Sequence, residues 1–246
     1  MSLTKSKGNM YDWVTHTHTH LRGACPHGCT YCYVQAMERR YHGGHYAGEL
    51  RFDEESLKVN YGSGKTIFID NCNDLFSDGV KAEWIIAVLH QCEKYPDNTY
   101  VFQSKNPKRM FFYLRNILFD FMAGTTIETD INNSGVWSAS CPSVIDRFRA
   151  LNDATQTMSK RWFTKSGLFI TVEPILKMAD PIHFARMIAE ANPSFVNIGA
   201  DSKGHGLNEP TAAELRLFID ELNAYGVNIR KKVNLERILK NEGLDK

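Results

Sequence analysis

Gly23-Ala24-Cys25-Pro26-His27-Gly28-Cys29-Thr30-Tyr31-Cys32-Tyr33 sets three cysteines in the pattern C-x3-C-x2-C, with a tyrosine on each side of the last. Three thiolates this close together suit an iron–sulfur cluster, which is held mainly by Cys thiolates. A cubane has four irons, so three protein ligands leave one iron open. An open position is what lets a metal centre do chemistry. Two other uses of the triad compete. Zinc normally takes four ligands, often as two separated pairs. No second C-x2-C occurs here, although His27 or an upstream histidine can supply a fourth ligand. A disulfide framework fits poorly, because Cys25, Cys29 and Cys32 are too densely spaced and nothing marks the chain as secreted.

Outward from this motif, strand-like and helix-like segments alternate. Short apolar runs rich in β-branched and aromatic residues predict strands at Trp13–His18, Thr66–Asp70, Thr99–Gln103, Ala123–Ile127, Leu168–Val172 and Phe195–Ile198. Helical spacing predicts Thr30–Tyr41, Ala82–Lys94, Pro107–Phe119, Pro142–Leu151, Pro181–Ala191 and Thr211–Ala224. Repeated strand–helix units imply an α/β fold with a parallel sheet and right-handed crossovers. A partial (β/α)6 TIM-like barrel with parallel strands fits the length; a doubly wound open sheet is the alternative. Both collect functional residues at the C-terminal strand ends. We expect an N-terminal extension over residues 1–12, the barrel over 13–224, and a capping segment over 225–246. In that last part, Val227-Asn228-Ile229 and Val233–Leu239 would add a strand and a helix.

The chain has 246 residues and a net charge of +1, which excludes a strongly polyanion-attracting surface overall but not a local basic patch. Of its six cysteines only the first three are clustered, so a reducing, cytoplasmic setting is expected. No apolar run is long enough to span a bilayer, and no membrane association is expected.

The strand ends carry the candidate site. Asp70-Asn71-Cys72-Asn73-Asp74 offers small polar groups suited to an amino group, with Asn71, Asn73 and Asp74 as candidates. An Asx-rich turn would use the same residues. Gln103-Ser104-Lys105 offers a cation for an anionic group. Thr126 and Glu128 share a face by alternation, and Thr171-Val172-Glu173 repeats the Thr-x-Glu ending on the next strand. Two carboxylates at neighbouring strand ends favour a site over inert surface acids. Ile198-Gly199 closes the sixth strand, where glycine permits close backbone approach to a ligand.

The cysteine spacing and the Tyr31-Cys32 pair resemble the signature of the radical S-adenosylmethionine (SAM) superfamily. The order of segments extends the likeness from Trp13 to about Glu209. Thr125-Thr126-Ile127-Glu128 resembles the corresponding stretch of such enzymes as the spore photoproduct lyase group. Asp74-Leu75-Phe76 and Glu173-Pro174 are similar to a small phage-associated radical-SAM-like family of unassigned reaction. The resemblance implies a [4Fe–4S] cluster on Cys25, Cys29 and Cys32, with SAM on the open iron. It implies cofactor contacts from Tyr31 near the adenine, Asn71, Asn73 and Asp74 at the amino group, Lys105 at the carboxylate, Thr126 and Glu128 at the ribose, and Ile198 and Gly199 at the adenine. Glu128 and Glu173 are the candidate catalytic carboxylates. The usual glycine–glycine–acid sequence after the second strand is absent, and no additional cysteine motif points to a second cluster. An electron donor such as flavodoxin or ferredoxin is implied.

The substrate is not written in the residues. Tyr33, Arg39, Arg40, Tyr41 and His42 mix basic and aromatic side chains near the motif, which suits nucleic acid; a peptide is the other candidate. His16, His18 and His20 would share one face of the first strand, as metal ligands or as polar lining of the barrel. The competing reading is a zinc- or Fe–S-binding nucleic-acid-binding module without radical chemistry.

Overall fold

The computed structural model describes residues 3–8, 10–132, 135–157 and 167–240. Its sheet contains β1 (Thr4–Lys5), β2 (His16–His18), β5 (Thr66–Ile69), β6 (Thr99–Gln103), β7 (Phe121–Thr126), β8 (Gly167–Val172), β9 (Phe195–Ile198) and β10 (Ile229–Lys231), in that order. All neighbours are parallel except β1, which pairs antiparallel with β2. A separate two-stranded pair joins β3 (Leu21–Arg22) to β4 (Arg51–Phe52). The architecture is a mixed α/β partial barrel of the TIM-like type.

The strands are apolar on both faces because each face meets a different core. Ile67, Tyr100, Leu168, Ile170 and Val196 point to the helix layer. Their neighbours Phe68, Val101, Phe169 and Phe195 point inward and pack with Tyr11 and Val14. Period-two alternation thus separates two cores within one run of hydrophobic sequence. At Gly124 the inward layer needs an absent side chain. A Cβ there would lie 2.2 Å from the Phe169 ring.

The helix layer comprises α1 (Tyr33–Tyr41), α2 (Ala82–Glu93), α3 (Pro107–Leu114), α4 (Val144–Thr157), α5 (Pro181–Glu190), α6 (Ala212–Ala224) and α7 (Glu236–Leu239). Four starts are set by side-chain caps, that of α4 by Ser143 Oγ, which accepts from Asp146 N at 3.1 Å. Asn106 accepts from Arg109 N, Asp180 accepts from Ile182 N and His183 N, and Thr211 forms a reciprocal box with Glu214.

Several boundaries differ from expectation. The first strand starts at His16 rather than Trp13, because the chain turns at Val14 N–Tyr11 O (3.0 Å) and Trp13 stacks on Tyr11 at 5.3 Å between centroids. Helix α1 starts three residues late because Cys29 to Cys32 is a turn, closed by Cys32 N–Cys29 O at 3.1 Å. Helix α3 stops at Leu114, freeing Phe119 to pack edge-on against Tyr100 at 4.9 Å. Among the described residues no helix is long and apolar enough to cross a membrane.

Candidate functional site

The cysteine loop leaves the end of β3 and is clamped from three sides. On the first, Gly23 N and Ala24 N donate to His45 O and Gly48 O. Gly23 has φ 84°, and a Cβ there would fall 2.0 Å from Glu49 O, so only glycine fits. On the second, Ser138 Oγ and Ser140 Oγ both donate to Pro26 O, while Ser138 N and Thr30 N reach His27 O and Val136 O. On the third, His27 Nε2 pairs with Asp74 Oδ2 at 2.7 Å.

Asp74 is the hub of that third clamp. It also accepts from Ser104 Oγ at 2.7 Å, Lys105 N at 2.8 Å and Phe76 N at 2.9 Å. Its oxygens tie the cysteine loop to the segments after β5 and β6, and the residue also lines the cleft beside the cysteines. Burial works against its charge, but His27 and these donors hold the carboxyl below the usual range. Burial likewise pulls the His27 imidazolium down, and the Asp74 carboxylate overrides this, lifting it to about 9.

The thiols of Cys25, Cys29 and Cys32 line one cleft at the C-terminal ends of the strands, and none is in a disulfide. Asn71, Asn73, Asp74, Lys105 and Thr126 line the same cleft. The cleft is open to solvent at its mouth. Burial, then the Asp74 charge, pushes the Cys25 thiol up to about 12. Burial raises Cys29 to about 11, with Lys105 opposing and Glu128 adding. Thiols this weakly acidic become thiolates only when a cation compensates them, as metal coordination does. Among the described residues no three His, Cys, Asp or Glu side chains converge closely enough to hold a single ion. A four-iron cluster, with one thiolate per iron, asks for no such convergence. The donor set fits that cluster.

Glu128 lies behind this wall rather than in the cleft. It is fully buried, with Lys105 Nζ at 2.9 Å, Arg147 Nη1 at 2.8 Å and the Tyr31 hydroxyl donating to it. Burial disfavours the carboxylate, but Lys105 and then Arg147 outweigh it and hold Glu128 at about 2. The ion pair also keeps Lys105 charged despite its burial. Lys105 itself faces the cleft and sits 5.3 Å over the Tyr31 ring. Glu128, expected at the ribose, is paired here with Lys105 and Arg147, and Tyr31 is engaged with the same network.

Glu173 occupies the equivalent place on the next strand, since Thr126 pairs with Thr171. Its surroundings differ. It pairs with Lys232 Nζ at 2.9 Å and lies over Gly199, where a Cβ would meet Glu173 Cδ at 2.9 Å. The absent side chain of Gly199 accommodates Glu173. Backbone groups of Ile198 and Gly199 are also spoken for: Lys232 N donates to Ile198 O, Ile175 N to Gly199 O, and Gly199 N to Val172 O. Thr126, Glu128, Glu173 and Gly199 all lie at the same end of the sheet, with Glu128 paired to Lys105 and Arg147 and Glu173 to Lys232.

His16, His18 and His20 share the outer face of β2 and its continuation, and the threonines alternate with them. His18 Nε2 pairs with Ser56 O at 3.0 Å, and His20 bridges Asp70 (3.0 Å) and Tyr61 (2.8 Å). His16 Nδ1 pairs with Thr15 Oγ1 at 2.9 Å. They do not line the barrel interior, and each has its own partner. Sequence reasoning missed Arg147, which is fully buried despite its charge; only its place between Val144, Phe148 and Leu151 on a helix hinted at the core. It also gave no site role to Cys72, which lines the cleft with its thiol 3.7 Å from the Tyr33 hydroxyl.

A partial α/β barrel with three free thiols at the C-terminal strand ends defines the class. The chain belongs to the family described as "Protein of unknown function (DUF5131)", whose family model matches residues 9–213. No curated protein matches it. Among solved structures, a cysteine-to-serine mutant of spore photoproduct lyase is similar with TM-score 0.59 at 10% identity, over 93% of this chain and 81% of that one. Spore photoproduct lyase complexed with dinucleoside spore photoproduct gives 0.56 at 11%, over 89% and 64%. A mutant with bound AdoMet and the dinucleoside gives 0.54 at 12%, over 88% and 63%. This chain spans less than two thirds of the length of the last two. At these identities the likeness is one of fold.

Proposed function

We propose that this chain is a radical SAM enzyme acting on an unassigned substrate. The observation that carries the reading is the convergence of Cys25, Cys29 and Cys32 with Asn71, Asn73, Lys105 and Thr126 in one cleft at the active end of a partial barrel. The three cysteines would hold a [4Fe–4S] cluster with one iron left for SAM. When bound, this pair supplies reductive cleavage of SAM to methionine and a 5′-deoxyadenosyl radical. The chain's own work is binding, orientation and exclusion of water. Lys105, kept charged by Glu128, presents a fixed cation to a carboxylate in the cleft. The side-chain amides of Asn71 and Asn73 and the Thr126 hydroxyl offer hydrogen bonds beside it. Glu128, itself fixed by Tyr31 and Arg147, holds Lys105 in place. The aromatic plug of Tyr11, Phe68, Phe169 and Phe195 seals the barrel below.

A nucleic-acid substrate is favoured over a peptide, supported by the dinucleoside spore photoproduct bound in similar solved structures. A flavodoxin- or ferredoxin-type donor, a cytoplasmic location and membership of a phage-associated group complete the reading. So does a barrel core over residues 13–224, to whose sheet the extension and the capping segment each add a strand.

The test is anaerobic reconstitution with iron and sulfide, then metal analysis and calorimetry with SAM. The proposal expects brown protein with about four irons per chain and saturable SAM binding. Colourless protein that takes up zinc in preference to iron promotes the binding-module reading instead.

A further inference from the structure

We infer that the end of α1 and the loop after it form a docking surface for single-stranded nucleic acid, delivering it to the cleft. This rests on the reading above, that the three-thiol cleft is the reactive site. Residues 39–48 contain Arg39, Arg40, Tyr41, His42, His45 and Tyr46 and no acid, in a chain whose net charge is only +1. Arg39, Arg40, His42 and His45 are exposed. Tyr41 is 68% exposed, with the Arg40 guanidinium 5.5 Å from its ring centroid. The preceding acid, Glu38, is turned into the loop, where its carboxylate accepts from Gly44 N and Tyr46 N. The loop is thereby shaped and its nearest negative charge is occupied. Glu49 follows Gly48, with its backbone packed against Gly23.

Arginines in the last turn of a helix also interact well with its C-terminal dipole. That accounts for their sign. It does not account for a tyrosine left two-thirds exposed beside them, or for four cationic or imidazole side chains without an acid between. Guanidinium groups for phosphates and an open aromatic face for a base are the two components of single-strand recognition. The patch is connected to the cleft by α1 itself. Tyr33, its first residue, lines the cleft and donates to Asn71 O at 2.9 Å. Eight steps of helix separate it from Tyr41, about 12 Å at 1.5 Å per residue.

The test uses the full chain, with and without the reconstituted cluster. Fluorescence anisotropy reads binding of labelled single-stranded DNA and RNA oligonucleotides of mixed sequence across a salt series. The Arg39→Gln/Arg40→Gln variant should lower the magnitude of the log K against log salt slope by about 1.4, at about 0.7 for each phosphate no longer neutralised. Tyr41→Ala should weaken binding roughly tenfold with the slope unchanged. Lys231→Gln, an exposed cation on β10, should change neither. Equal effects from Lys231→Gln, or displacement of the oligonucleotide by polyglutamate with no effect of Tyr41→Ala, would overturn the proposal in favour of a diffuse or acidic-peptide interaction. Iron content and SAM cleavage without substrate should be unchanged in all three variants. If the wild type binds oligonucleotide through these residues yet cleaves no SAM, the docking surface stands and the enzyme reading falls. If it cleaves SAM and the variants bind oligonucleotide like the wild type, the docking surface falls alone.

Discussion

Replacing Glu128 with Gln removes one charge from a fully buried cluster while keeping its volume. Lys105 and Arg147 then face each other with no counter-charge. The magnitude follows from the carboxyl itself. It lies at about 2 against an ordinary 4.5, and at about 1.36 kcal/mol per pH unit the difference is about 3 kcal/mol. Breaking a buried ion pair by removing one partner typically costs a similar 3–5 kcal/mol. The assay is urea unfolding of metal-free wild type and variant at pH 7, repeated at lower pH. The folded carboxyl titrates below the unfolded one, so its contribution is present above about pH 4.5 and fades as pH falls toward 2. The gap between wild type and variant should therefore be about 3 kcal/mol at neutral pH and should narrow on acidification. A gap under about 1 kcal/mol at pH 7, or one that widens in acid, would refute the placement of Glu128 as the balancing charge of this wall.

Two further outcomes are expected. Single Cys25→Ala, Cys29→Ala or Cys32→Ala should abolish iron retention in the reconstituted protein, while Cys72→Ala, Cys92→Ala and Cys141→Ala should keep it, as read by metal analysis. Gly124→Ala should destabilise the barrel by about 1–3 kcal/mol through collision with the Phe169 ring, and Phe169→Leu in the same chain should recover part of that loss in the denaturation midpoint.

The barrel was legible because its signals are local and repeated. Apolar runs of strand length, each followed by helical spacing, leave few arrangements other than a parallel sheet. Strand β6 and strand β9 fall where the pattern puts them. The turn at Tyr11–Val14 was not legible, because a Trp within an apolar run reads as strand until its stacking on Tyr11 is seen. The cysteine triad stood out by spacing alone, and Asn71, Asn73, Lys105 and Thr126 join it through the rule that strand ends carry function. The two glutamates have partners that the rule does not reveal. They occupy matched register positions, yet Glu128 turns to Arg147, a residue more than a dozen positions later, and Glu173 turns to Lys232. Charge partners so distant in sequence leave no periodic trace. Gly199 is similar: a missing side chain reads as room for a ligand, and the fold lays Glu173 over it.

The central claim is that the three-thiol cleft supports radical chemistry. Its most direct test is dithionite-driven turnover of SAM by anaerobically reconstituted protein, with 5′-deoxyadenosine measured by chromatography. The wild type should form 5′-deoxyadenosine slowly even without substrate, and Cys29→Ala should form none. Protein fully loaded with a four-iron cluster that neither binds nor cleaves SAM would contradict it.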